Sequence, residues 1–166
     1  MLIKNARHAA AVLALVIFAI PAAQAQTASQ GVEYSVVSIQ KIALSGLAPT
    51  LDIITAAAGT AKTSITNSAA TYAIWNNVAG MKITAGLLAD MPTDLTLSAT
   101  LAAPAGATSA GITALALTGG AKDVVTGINK LSASLLGITY TLDALPTAGV
   151  VGSASATVTY TVTAGT

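Results

Sequence analysis

The sequence predicts an all-β protein built as a single β-sandwich, with immunoglobulin-like and jelly-roll topologies both open. Apolar and polar residues alternate with a period of two in several segments, and clusters of Gly, Pro, Asn and Asp separate those segments at short intervals. Charged residues make up only 8% of the chain, which leaves few side chains to solvate a helix face. Such a pattern is typical of half-buried strands, and we expect about eight to ten short antiparallel ones.

The clearest strands are predicted at 94–101 (DLTLSATL) and 154–163 (ASATVTYTVT), where every second residue is apolar. The same alternation runs through 81–87 and 138–142. Weaker strand patterns occupy 32–44, 51–56, 70–77, 112–118 and 123–128. Helix is expected to contribute one turn at most, near 55–62, because Thr, Ser and Val interrupt the alanine-rich runs.

Residues 1–25 have the layout of a cleavable secretory signal peptide. Lys4 and Arg7 form a positive start, residues 9–20 are apolar and uncharged, and Ala23-Gln24-Ala25 supplies the small-x-small cleavage pattern. The apolar stretch is too short to span a bilayer comfortably. We therefore expect cleavage after Ala25 and secretion to the extracellular space or cell surface, by way of the periplasm if the host is Gram-negative.

After cleavage we expect a flexible polar lead-in over 26–31 and one β-sandwich domain over 32–166. The leader takes the only His and the only Arg with it, and the chain contains no Cys. The remaining chain has five lysines and six carboxylates, which gives a net charge of −1. Without a basic patch we expect no nucleic-acid partner, and we expect no membrane insertion of the mature chain.

A mature chain without His or Cys cannot build a Ser-His-Asp or Cys-His catalytic site, a thiolate metal site or a histidine zinc site. We therefore expect no enzyme, with no catalytic, cofactor-binding or metal-binding residue and no cofactor. Asp90 and Asp94, in ADMPTDL, form the closest carboxylate pair. A calcium loop usually gathers three or more oxygen side chains, so turn and strand-start roles explain these two better.

The closing segment 153–163 contains no charge and no proline. Monomeric sheet proteins blunt exposed edges with such residues, so this segment is predicted to be either a central strand or an edge meant for pairing. Its candidate acceptor residues are Val158, Tyr160 and Val162. The segment 32–44 is a candidate donor strand that could supply the partner by β-augmentation. Its candidate donor residues are Tyr34, Val36, Val37, Ile39 and Ile42.

The leader ending in AQA, the small Thr/Ala/Gly-rich domain and the closing ATVTYTVTAGT resemble secreted subunits of bacterial surface fibres. That group includes the spore-coat-U proteins and the chaperone–usher pilins, which have immunoglobulin-like sandwiches. The resemblance implies polymerisation by donor-strand exchange, in which an N-terminal extension of one subunit completes a sheet of the next. The resemblance leaves an export chaperone open as a further partner.

The leading functional hypothesis is a structural subunit of an extracellular filament, pilus (fimbrium) or surface matrix, which forms a homo-oligomer or homopolymer by strand pairing or donor-strand complementation. One alternative is a secreted adhesin module that binds glycans through a patch of Trp75, Asn76 and Asn77. Another is a small outer-membrane β-barrel. The five aromatic residues of the mature chain are few for the aromatic girdles of such a barrel.

Overall fold

The computed structural model describes residues 26–117 and 120–165, so the predicted leader lies outside the described residues. The strands are β1 (Gln40–Gly46), β2 (Thr63–Asn76), β3 (Met81–Leu87), β4 (Leu95–Leu101), β5 (Thr108–Ser109), β6 (Thr113–Ala114), β7 (Lys122–Ile128), β8 (Leu131–Ala144) and β9 (Val158–Ala164). A 3-10 turn at Pro146–Ala148 follows β8. The prediction of an all-β chain with about eight to ten antiparallel strands is confirmed.

The strands form two antiparallel sheets. One has five strands in the order β1–β2–β8–β4–β6, and the other has four in the order β5–β7–β3–β9. Each sheet ends in two edge strands within the described parts of the chain, and neither closes into a barrel. An isolated parallel bridge joins Leu87 and Leu117. The arrangement is that of a β-sandwich, as predicted.

The alternating segments place their apolar residues between the two sheets. In β3, Met81, Ile83, Ala85 and Leu87 are buried, and Lys82 and Thr84 are only partly so. Their spacing of two residues is the period of a strand, which puts them on one face. The largest fully buried side chains come from both sheets: Tyr72, Ile74, Ile83, Leu87, Leu101, Val124, Val125, Ile128 and Ile138. This shared layer is the hydrophobic core of the sandwich.

Two strands are much longer than the sequence pattern predicted. β2 and β8 each have 14 residues, whereas the pattern predicted only 70–77 and 138–142. The first half of β2 (TSITNSA) is mostly Ser, Thr and Asn, so it carries little apolar signal. Pairing with β8 holds it in the sheet, from Thr63 opposite Ala144 onward. The missed residues are therefore strand because of a long-range partner.

Three local predictions were wrong or too long. The segment 51–56 forms no strand, and the pattern at 112–118 shortens to β6 with the bridge at Leu117. The expected helical turn near 55–62 is absent. Instead, both the backbone N–H and the side-chain hydroxyl of Thr60 donate to the Ala57 carbonyl oxygen, around Gly59 at φ +82°. A glycine with positive φ favours a tight turn over a helix.

The compact unit that contains every strand begins at Val36, four residues later than the predicted start of the domain at 32. Residues 26–35 belong to a separate unit of the chain. They have no regular secondary structure, and all of them are exposed. Residues 32–35 are thus as exposed as 26–31 and equally without regular secondary structure.

Candidate functional site

The β9 strand forms an edge of the four-stranded sheet. Within the described residues it pairs with β3 alone, from Leu87 opposite Val158 to Met81 opposite Ala164. Its seven residues, VTYTVTA, include no charge and no proline. An edge of this length leaves a row of backbone donors and acceptors facing outward without the usual blunting devices.

The hydrogen bonds at the two ends of this ladder show which groups face outward. The Leu88 N–H donates to the Thr157 carbonyl at 3.0 Å, and the Gly165 N–H donates to the Gly80 carbonyl at 2.7 Å. In an antiparallel pair, hydrogen-bonded residues alternate with residues whose N–H and C=O point to the other side. The outward groups are therefore those at alternate positions in β9: Val158, Tyr160, Val162 and Ala164.

The two faces of β9 differ in chemistry. Val158, Tyr160 and Val162 pack against the hydrophobic core, opposite Leu87, Ala85 and Ile83 of β3. The residues between them, Thr159, Thr161 and Thr163, are on the outer face of the sheet. All three predicted acceptor residues thus lie on an edge strand, with their side chains inward and their backbone groups at the open edge.

The other long edge strand is β1. It pairs in cis with β2, from Gln40 opposite Asn76 to Gly46 opposite Ala70. It runs beside β9 across the sandwich, so the two seven-residue edges lie on the same side of the molecule. We call this side, formed by β1 and β9, the open side. The opposite side ends in β5 and β6, which have two residues each and offer little edge to pair with.

Asn77 extends the β1 ladder backward with its side chain. Its Oδ1 accepts a hydrogen bond from the Ile39 N–H at 2.7 Å, and its Nδ2 donates to the Val37 carbonyl at 2.8 Å. The Asn77 backbone N–H also donates to the Ile39 carbonyl at 3.3 Å. These bonds hold residues 37–39 in cis ahead of the strand. No sequence pattern indicates this role, because nothing local links Asn77 to a segment 38 residues earlier.

The structure therefore divides the predicted donor segment 32–44. Ile42 lies in β1 and packs against the core, while Ile39 and Val37 are bonded to Asn77. Tyr34 and Val36 form no strand, and the Tyr34 side chain is 91% exposed. Val32, two residues before Tyr34, is exposed as well. Only the part before Val37 is free of a partner strand within the described chain.

The predicted ligand patch at Trp75, Asn76 and Asn77 is not a cluster of free side chains. Asn76 is buried, and its Nδ2 donates to the Val78 and Asn129 carbonyls at 2.6 and 2.9 Å. The amide of Asn77 is occupied by Val37 and Ile39 as described above. Trp75 remains 42% exposed on the outer face, opposite Lys41 of β1 and Ser132 of β8. The two amides therefore serve turns and strand ends.

Within residues 26–117 and 120–165, charged groups form two ion pairs, and neither of them includes a residue of β9. Lys62 Nζ lies 2.7 Å from Asp143 Oδ2, and the Ser64 hydroxyl donates to the other oxygen of that carboxylate. The Lys62 bond, and then the Ser64 bond, lower the pKa of Asp143 below its ordinary value. Lys82 and Asp123 pair at 3.1 Å on the outer face of the other sheet. Exposed pairs of this kind add about 0–1 kcal/mol to stability.

No group of three or more His, Cys, Asp or Glu side chains comes together within residues 26–117 and 120–165. Asp94 sits in the turn before β4 with φ +64°, and its carbonyl accepts a hydrogen bond from the Leu145 N–H at 3.0 Å. Asp tolerates this left-handed conformation better than most residues. In the same parts of the chain, no helix has the length and apolarity needed to cross a membrane.

Comparisons of the chain with protein-family models, with curated proteins and with solved structures find no match.

Proposed function

We propose that this chain is an exported structural subunit of an extracellular filament or surface matrix, which assembles by pairing β-strands between copies. The observation that carries the proposal is β9, a seven-residue edge strand with neither charge nor proline and with outward backbone groups at every second residue. A strand of this kind can pair with a strand of another chain. Monomeric proteins ordinarily prevent such pairing with charges, prolines or bulges on their edge strands.

A polymer needs at least two different contacts per subunit, because a single self-pairing surface yields only closed pairs. The open side offers two long edges, β9 and β1. The segment before Val37 offers a third element. Its apolar residues Val32, Tyr34 and Val36 occupy every second position, which is the spacing of a strand, and all three side chains are exposed. Such a segment can add to a free edge of a neighbouring copy, with its alternate side chains directed toward the neighbour's core.

Burial of the apolar side chains of the added segment would contribute several kcal/mol of favourable free energy to assembly. Each of Val32, Tyr34 and Val36 would contribute about 1.5–3 kcal/mol on full burial, before the cost of ordering the segment. The new backbone hydrogen bonds would add to this. The chain has no Cys, so disulfides cannot strengthen the subunit or link it to others. Strand pairing therefore supplies both cohesion and stability in the proposed assembly.

The test compares exported wild-type chain with a variant in which Val32, Tyr34 and Val36 are all replaced by Ser. The change keeps the length of the segment and leaves the Asn77 contacts with 37–39 in place. We expect ordered fibres by negative-stain electron microscopy for the wild type, and monomers or short oligomers for the variant. The matched control is Glu33→Ser. In an extended segment this residue lies on the face opposite that of Val32, Tyr34 and Val36, so the change should leave fibres unchanged.

Two results would contradict the proposal. A wild-type chain that stays strictly monomeric at every concentration would exclude assembly altogether. Fibres that form equally well in the triple-serine variant would exclude the role of the N-terminal segment.

A further inference from the structure

We propose that the open edge of β9 pairs with β9 of a second copy, in an antiparallel arrangement with Thr161 on the two-fold axis. The proposal deepens the proposed function by naming the partner strand and its register. It rests on that function in one respect, namely that copies of the chain assemble by pairing the edges of their sheets.

The outward backbone groups fix the register. Those groups belong to Val158, Tyr160, Val162 and Ala164, and only residues of this set can form the hydrogen-bonded pairs with a second strand. With Thr161 on the axis, Val158 pairs with Ala164 of the second copy and Tyr160 pairs with Val162, and the symmetry repeats both. Every outward group of the edge is then used. Moving the axis to a neighbouring residue leaves an end pair unmade.

The side chains that meet in this register suit each other. On the outer face, Thr159 lies opposite Thr163 of the second copy, and Thr161 lies opposite its own symmetry mate. On the inner face, Tyr160 lies opposite Val162. Thr–Thr and aromatic–β-branched neighbours are among the favourable cross-strand pairs, and no like charges oppose each other. The strand is thus complementary to itself, as a two-fold contact requires.

The other edges of the molecule are less suited to the same contact. β1 carries the exposed Lys41 and ends at Gly46, whose φ is +95°. Two copies of β1 would bring their lysines to the same contact, and a left-handed glycine ends the regular strand. β5 and β6 have two residues each. Pairing of two β9 strands leaves β1 free, so the N-terminal segment of a further copy can still add there.

A cysteine at the axis tests the register directly, because the chain has no other. Opposite residues at a non-hydrogen-bonded antiparallel site have Cα atoms about 4.5 Å apart, which suits a disulfide. We expect Thr161→Cys to give a disulfide-linked dimer in high yield under mild oxidation. Thr66→Cys, at an exposed threonine of β2 in the other sheet, is the matched control and should give only the background yield.

Charge reversal supplies a second, independent test. Thr161→Lys and Thr161→Glu each place like charges on the axis, and we expect each to weaken dimerisation at least about tenfold. Mixing the two variants should restore a heterodimer, measured by sedimentation velocity. Circular dichroism checks that both variants fold, which we expect because Thr161 is an exposed side chain.

The outcomes separate this inference from the proposed function. Background cross-linking in Thr161→Cys, or a dimer that Thr161→Lys does not weaken, would overturn the β9 pairing. So would a dimer that disappears when residues 28–35 are deleted, because the N-terminal segment would then be the occupant of the edge. Fibres that persist in Thr161→Lys together with an unweakened dimer overturn the pairing alone, because the N-terminal segment can also propagate a fibre by adding to β1. A Thr161-dependent dimer without fibres overturns the filament and leaves the pairing intact.

Discussion

Two tyrosine hydroxyls join the two sheets of the sandwich. The Tyr160 hydroxyl of β9 donates to the Tyr140 hydroxyl of β8 at 2.8 Å. Burial raises the pKa of Tyr160 well above its ordinary value of 10.0, and the bond to Tyr140 raises it further. Burial also raises the pKa of Tyr140, and it raises the pKa of Tyr72 to about 12. The folded chain therefore favours three neutral phenols.

This arrangement predicts a specific alkaline instability. Folded-state pKa values above the unfolded value mean that the stabilisation is complete below pH 10 and is lost as the pH rises toward 12 and beyond. We expect Tyr160→Phe to cost about 1 kcal/mol at neutral pH, because the Tyr140 hydroxyl loses its partner. The same variant should lose less stability between pH 10 and pH 12 than the wild type does.

The measurement is the free energy of unfolding by denaturant across that pH range. Tyr34→Phe is the control, because the Tyr34 side chain is exposed and should not affect stability. An unchanged alkaline decline in Tyr160→Phe would show that the inter-sheet pair is not a source of the pH dependence.

At the scale of one element, β1 depends on a close approach at its end. Gly46 has φ +95°, and a Cβ atom there would lie 2.5 Å from the Ala69 carbonyl oxygen. Gly59 also has positive φ, at +82°, but a Cβ atom there would meet nothing within 4 Å. Substitution at Gly59 would therefore cause backbone strain alone, whereas substitution at Gly46 would cause both backbone strain and a steric collision.

We expect Gly46→Ala to destabilise the chain by about 2–3 kcal/mol, because the backbone of β2 must move away. Gly59→Ala should cost only about 1 kcal/mol, the cost of a left-handed alanine. Denaturant unfolding measures both, and hydrogen exchange of the β1 amides should rise in Gly46→Ala alone. Equal costs for the two variants would contradict a collision at β2.

At the scale of the whole molecule, one core serves both sheets. Ile83, in β3, is fully buried between Val125 of β7 and Val162 of β9. We expect Ile83→Ala to cost about 2–5 kcal/mol, through the lost burial and the cavity left behind. Because both sheets pack on this layer, far-ultraviolet circular dichroism and Trp75 fluorescence should report one shared unfolding transition.

Ile54→Ala is the matched control for this prediction, because Ile54 is 87% exposed and outside any strand. We expect its unfolding free energy to stay within about 0.5 kcal/mol of the wild type. Separate transitions for the two probes in Ile83→Ala would contradict a common core.

The sequence predicted some elements closely and others only in part. β3 matches the predicted 81–87, and β4 lies within the predicted 94–101, because their alternating residues record burial directly. β9 begins at Val158, four residues after the predicted start, since the alanine and serine residues before it find no partner strand. The segment 51–56 has the apolar residues of a strand but leaves Ile54 exposed, again without a partner.

The candidate site shows the same division. The sequence identified Val158, Tyr160 and Val162 as residues of an unblunted strand, because charge and proline content are local properties. It left open whether that strand was central or at an edge, since the number of neighbours depends on strand order. The cis contacts of Asn77 with Val37 and Ile39 were also beyond it, because they join residues 38 or more apart along the chain.

The sequence by itself determined the fold class and the absence of Cys from the chain, because both follow from composition and from the period of the apolar residues. Only the tertiary structure decided that β1 and β9 lie together at the open side, that β9 has one neighbour, and which backbone groups face outward. These are properties of pairing between distant segments. A strand's own residues specify which face is buried, whereas its neighbours are chosen by the packing of the whole chain.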